Sequence, residues 1–124
     1  MHDMSIAGSE KARATLKPKT VTLDPSATDH VPLLNGPPET VTMRSGSVVL
    51  HPGQSVGKHS TGEREEAIVV LAGTGELRAS NERTLSLDRH TLAYCPPATE
   101  HDVVNTGTEP LRYIYIVASA RPIG

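Results

Sequence analysis

Gly53-Gln-Ser-Val-Gly57-Lys-His59-Ser-Thr61-Gly62-Glu-Arg-Glu65-Glu66-Ala-Ile-Val-Val-Leu-Ala-Gly73 decides the fold, together with a downstream counterpart, Pro96-Pro97-Ala98-Thr99-Glu100-His101-Asp102-Val-Val-Asn105. Each stretch joins a turn and a histidine to a short run rich in Val or Ile. Alternation along a strand places His59 and Thr61 on one face, and the turn at Gly62 sends the chain back with Glu66, Ile68 and Val70 sharing a face. His101, Val103 and Asn105 share a face of a later strand. Should these faces line one barrel, His59, Glu66 and His101 converge. Two neutral imidazoles and a carboxylate suit Fe(II), Mn(II), Zn(II) or Ni(II) and leave coordination positions open for water or a substrate.

Outward from these two stretches the strand pattern continues. From residue 40 on, Val/Thr/Leu/Ile-rich runs alternate with Gly, Pro and Asn at roughly the 8–12-residue spacing of sandwiches and barrels. The expected strands are Val41–Arg44, Ser47–His51, Ala67–Leu71, Gly75–Ser80, Thr84–Leu87, Thr91–Cys95, Asp102–Asn105 and Leu111–Ala118, with Thr20–Leu23 as a further edge strand. No stretch carries a long amphipathic helical stripe, so the fold class is all-β. Residues 1–19 show no periodicity and read as a flexible N-terminal arm. Residues 20–124 read as a single domain, in which Asp24-Pro25, Pro32 and Gly36-Pro37-Pro38 mark residues 24–39 as a turn-rich connector.

Composition narrows the function classes. The chain has 124 residues, 36% apolar, with neither Phe nor Trp, so Val, Ile and Leu must fill a thin core. A formal charge of -2 with interspersed signs leaves no footprint for nucleic acid or an anionic membrane. The longest apolar run, Ala67–Ala72, is far too short to span a bilayer. The first residues lack an apolar leader segment, and a single Cys95 makes no internal disulfide; both point to a cytoplasmic protein. Ala67–Leu71 and Tyr113–Val117 are apolar on both faces, which predicts a homodimer that covers the outer one.

The two stretches resemble the paired motifs of the cupin family. The first family motif runs Gly, five residues, His, one residue, His, three or four residues, Glu, six residues, Gly; Gly53, His59, Glu66 and Gly73 match it. The second runs Gly, five residues, Pro, one residue, Gly, two residues, His, three residues, Asn; Pro96, His101 and Asn105 match it. Thr61 stands where the family has a second metal-binding histidine, His90 replaces the opening glycine, and Ala98 the glycine after the proline. The resemblance covers about residues 41–118. It implies a cupin-like jelly roll, a double-stranded β-helix of two packed antiparallel sheets, holding a divalent metal on His59, Glu66 and His101. It also implies a small-molecule ligand or substrate and chemistry of the dioxygenase, isomerase or lyase type. The alternative is a non-catalytic ligand-binding barrel with a weakened or vestigial metal site.

Around that set, Thr61 is a candidate to hold a metal-bound water, and Glu65 is the fallback carboxylate, expected on the outer face. Tyr94 and Asn105 complete the lining candidates, although Asn105 also suits a turn. Tyr94, Tyr113 and Tyr115 are the sole aromatics, expected as core rings with hydroxyls at the rim. His51 and His90 read as structural or solvated, and His30 matters only if the connector folds over a barrel mouth. Cys95 reads as a buried small side chain. The inward residues of the Val48–Leu50 and Leu111–Val117 strands decide between readings: polar convergence indicates an enzyme, and a closed Val/Ile/Leu lining a binder.

Overall fold

The computed structural model describes residues 16–121, and within them the chain forms nine strands and no helix. They are β1 (Val31–Asn35), β2 (Arg44–Leu50), β3 (His59–Ser60), β4 (Arg64–Ala72), β5 (Thr74–Ala79), β6 (Leu85–Asp88), β7 (Leu92–Cys95), β8 (Glu100–Asn105) and β9 (Leu111–Ser119). Two antiparallel sheets face each other, one in the order β1-β2-β9-β4-β7 and the other β3-β8-β5-β6. This is the expected jelly roll. Alternation sends Ile68 and Val70 of β4, Leu111 and Tyr113 of β9, Leu77, Leu87 and Val103 inward, where they form the core.

Three sequence expectations change. Thr20–Leu23 is not a strand; the edge strand is β1, inside the stretch read as a connector. Pro32 is tolerated there because β1 pairs with β2 alone, and a register shift follows between Pro32 and Leu34. Of the expected Val41–Arg44 run only Arg44 lies in a strand; it belongs with residues 47–50 to β2, which is continuous through Gly46 and stops before His51. Of the expected arm, residues 1–15 lie outside the described residues, and 16–19 have no regular structure.

The two turn departures from the motif have a backbone signature. His90 and Ala98 both take positive φ, 70° and 53°, in the region where glycine is at no steric disadvantage. Gly73, at φ 86°, is required twice over: a Cβ there would also collide with the Pro110 carbonyl and lie 2.8 Å from Leu111 Cα.

Candidate metal centre

β3 and β8 carry the two histidines of the candidate site. His59 and His101 are direct cross-strand partners, with ring centroids 4.3 Å apart. Glu66 comes from β4 in the facing sheet, so the cluster bridges both sheets of the barrel. One ligand atom from each of the three lies within 4.8 Å of the others. His101 and Glu66 are buried, at 1% and 8% exposure, whereas His59 is open to solvent.

Hydrogen bonds fix how the rings are presented. His59 Nδ1 donates to the Gly57 carbonyl at 2.8 Å, and His101 Nδ1 donates to the Thr99 carbonyl at 3.0 Å. In both cases the acceptor is the backbone two residues upstream. A carbonyl only accepts, so each Nδ1 carries a proton and each Nε2 is turned away from the backbone, the arrangement that holds metal-binding imidazoles in place. His101 Nε2 meets Glu66 Oε1 at 2.8 Å. That bond raises the His101 pKa above the ordinary imidazole value; burial opposes the shift, and the Thr99 carbonyl adds to it. The donor set fits a divalent ion: two oriented imidazoles, one carboxylate, and an open side toward a cavity.

The cavity is about 570 Å³. Its apolar wall includes Val48, Leu50, Val56 and Val103; its polar groups are Asp29, His30, Gln54, Ser55, Tyr113 and Tyr115 beside the cluster itself. Burial is the first cause of the raised pKa of both tyrosines, with the Glu66 carboxylate second.

The remaining sequence candidates lie elsewhere. β3 ends at Ser60, and Thr61 turns away from the cluster: its hydroxyl donates to the Pro96 carbonyl at 2.6 Å and accepts from the Thr99 N–H at 3.0 Å. It clamps the turn after β3 to the Pro-Pro turn. Glu65 points to the outer face, where Oε1 accepts a bond from the Tyr94 hydroxyl at 2.7 Å, and Tyr94 is 56% exposed there. Asn105 is buried as a loop brace, donating to the Leu50 and Glu109 carbonyls and accepting from Gly107 N–H, each at 2.8 Å. Cys95 is buried opposite Glu66 in the β4–β7 pair, and desolvation first, then Glu66, pushes its thiol pKa up.

His30 does reach the cavity, the condition under which it was expected to matter, whereas Gln54 was not singled out. Nothing in the local pattern around His30 predicts the fold-over; only the Pro-rich stretch ahead of β1 hints at a chain able to turn back. Tyr113 and Tyr115, expected as core rings with hydroxyls at the rim, do line the cavity.

Comparisons with known proteins bear on the family and the fold. A family model described as "Cupin domain" matches residues 46–117. Among curated proteins, the chain is 32% identical over 83 residues to glucose-6-phosphate isomerase of Pyrococcus abyssi (strain GE5 / Orsay), covering 56% of this chain. The match spans only 43% of that relative's length. An RmlC-like cupin family protein from Methanocaldococcus jannaschii superposes with a TM-score of 0.69 at 17% identity, covering 83% of this chain and 92% of that one. A cupin 2 conserved barrel domain protein from Salinispora arenicola CNS-205 gives 0.68 at 21% identity, covering 84% and 91%.

Proposed function

The chain belongs to the cupin family, and on that premise we propose that it holds a divalent metal on His59 Nε2, His101 Nε2 and Glu66 and acts on a small polar metabolite bound in the adjoining cavity. The observation that carries this reading is the pairing of Nδ1–H bonds to Gly57 and Thr99, which leaves both Nε2 atoms available, with one ligand atom of each ring and of Glu66 lying within 4.8 Å of one another. A bound ion would supply Lewis-acid polarisation of chelated ligand oxygens. The chain's own residues do the rest. Val48, Leu50 and Val103 exclude water from one wall, while His30, Gln54, Tyr113 and Tyr115 offer hydrogen bonds to a polar ligand. That polar convergence favours catalysis over a vestigial binding barrel. Isomerase, dioxygenase and lyase chemistry can each use such a chelating site, and the Pyrococcus relative supports the first of them.

That relative is named for a phosphosugar substrate. Among the described residues, the cavity of this chain is lined by Asp29 and Glu66 but by no lysine or arginine. A phosphate group would find no cationic clamp there, so the ligand of this reading is a neutral or weakly anionic oxygen chelator.

A homodimer is part of the same proposal. The outer face of the five-stranded sheet sets Leu92, Val69 and Ile114 in one row and Tyr94, Ala67 and Ile116 in the next. Leu92 is 69% exposed, an apolar side chain a second copy would cover. No helix among the described residues is long and apolar enough to cross a membrane.

Metal analysis of protein purified without chelators tests the centre. One ion per chain in the wild type and in His51→Ala and His90→Ala, with loss in His59→Ala and His101→Ala, is the expected result. Equal metal content in all variants would refute the assignment.

A further inference from the structure

The connector ahead of β1 brings His30 onto the rim of the cavity, far in sequence from both motif stretches. There His30 Nε2 lies 2.8 Å from the Tyr115 hydroxyl, and the two rings stack with centroids 5.7 Å apart and planes 18° from parallel. Both side chains line the cavity that holds His59, Glu66 and His101. Glu66 pairs with Val117 across β4 and β9, so Tyr115 is its diagonal neighbour on the same inward face, on the order of 7–8 Å away between Cα atoms. We propose that His30 and Tyr115 form a second recognition point in this cavity, binding a hydroxyl or carbonyl oxygen at the end of a ligand remote from the metal cluster. The inference rests on the metal-centre reading above.

Gly46 carries the argument furthest. A Cβ at that position would lie 2.7 Å from His30 Nε2 and 2.7 Å from the Tyr115 hydroxyl, closer than real Cβ atoms come to such groups. Gly46 sits inside β2 directly opposite Tyr115, and its φ is not positive. A glycine weakens a strand interior, and here the backbone conformation does not ask for one. What it provides is room for the pair. The segment bearing His30 is tied down independently: Arg112 Nη1 donates to the Ala27 carbonyl at 2.9 Å, and His30 N–H donates to Asp29 Oδ1 at 2.7 Å.

The chemistry of the pair sets the class of ligand group. A tyrosine hydroxyl has one proton and two lone pairs, and His30 uses one of these sites. Burial, and secondarily Glu66, holds the Tyr115 pKa up, so the group meets a ligand as a neutral hydroxyl. With Asp29 beside it and no cationic side chain lining the cavity among the described residues, a neutral oxygen is favoured over a carboxylate or phosphate. His30 also lies outside residues 46–117, the part matched by the family model, so the barrel motif does not by itself specify it.

Calorimetric titration of the Ni(II)-loaded protein with 2-hydroxybutyrate and 2,4-dihydroxybutyrate tests the proposal. Both acids chelate through the same α-hydroxycarboxylate, and only the second carries a distal hydroxyl. The wild type is expected to bind the diol about threefold to tenfold more tightly, the scale of one neutral hydrogen bond. In Tyr115→Phe and Gly46→Ala that ratio falls to about one, while nickel content stays at the wild-type level. Tyr115→Phe keeps the test decisive should Gly46→Ala not fold. Equal affinities in the wild type, or a ratio that survives in Tyr115→Phe, would overturn the second recognition point and leave the metal centre standing. Wild-type protein that takes up no nickel would overturn both.

Discussion

Replacing Thr61 separates a ligand position from a loop clamp. The family motif has a metal-binding histidine there, yet in this chain the Thr61 hydroxyl spans Pro96 O and Thr99 N at 2.6 and 3.0 Å. Thr61→Val keeps the β-branched shape and deletes both bonds. Each is worth about 0.5–1.5 kcal/mol net; partial exposure of the loop argues for the lower half, giving a loss of about 1–2 kcal/mol. For a domain of this size that is a fall in Tm of about 4–8 °C. The same change reaches the metal site. Thr99 N–H donates to the deleted hydroxyl, and Thr99 O accepts the Nδ1–H of His101, so loosening Thr99 loosens the ring. Partners directly bonded to metal ligands cost 10–100-fold in affinity when lost; one bond further out, a loss of about threefold to tenfold is expected. Thr61→His should lose the clamp as well and gain no ligand. Thermal unfolding and competition titration with a chelator measure the two effects. Tighter metal binding by Thr61→His, with the fold intact, would refute the clamp and return position 61 to the coordination sphere.

Three other outcomes follow from the structure. In metal-free protein the His101 pKa is raised, chiefly by Glu66; the stability from that pair is present below about pH 6.5 and lost as pH rises through the folded value. Metal must displace the same proton, so the gap in Tm between loaded and metal-free protein should widen upward from about pH 6.5; a constant gap would contradict the shared site. Ala98→Gly should stabilise the protein by about 0.5–1 kcal/mol in urea unfolding, because it relieves the residue at φ 53° at the cost of a looser unfolded chain. Val69→Lys or Ile114→Lys, on the outer sheet face, should convert a dimer to a monomer in light scattering with metal content unchanged; a wild type already monomeric at micromolar concentration would remove the dimer from the proposal.

Strand identity was legible in β4 and β9 from short Val- and Ile-rich runs bounded by turn residues, even though both are apolar on both faces. It failed at both ends of β1. Thr20–Leu23 looks like a strand and is not, while Val31–Asn35 contains a proline and is one, since edge pairing depends on which neighbour is available rather than on local propensity. The spacing of His59, Glu66 and His101 told which side chains would approach one another, because register and sheet facing follow from the strands. Thr61 went astray for a local reason. Alternation was carried one residue beyond a strand that stops at Ser60, and past that point the turn, with its bond to Pro96, sets the side chain's direction. His30 could be raised only as a conditional candidate, and its partner not at all, because the contact with Tyr115 spans 85 residues and depends on a connector with no repeating pattern.

The two histidines are oriented by the same device, and this bears on how such a site survives the loss of a family ligand. Each Nδ1 is held by a carbonyl two residues upstream on its own chain, so ring orientation is set by backbone conformation and asks little of neighbouring side chains. The Gly57 carbonyl belongs to a turn at φ 106°, and the Thr99 carbonyl follows the turn at Ala98, whose N–H donates to Gly62 O at 2.8 Å. Through that bond and the Thr61 clamp, the turn after β3, next to His59, braces the turn before β8, next to His101. A histidine at position 61 would add a donor only by giving up the brace. With threonine there, two imidazoles and Glu66 stay aligned, and in the proposed centre the coordination position a fourth protein ligand would have filled would stay open to a bound ligand.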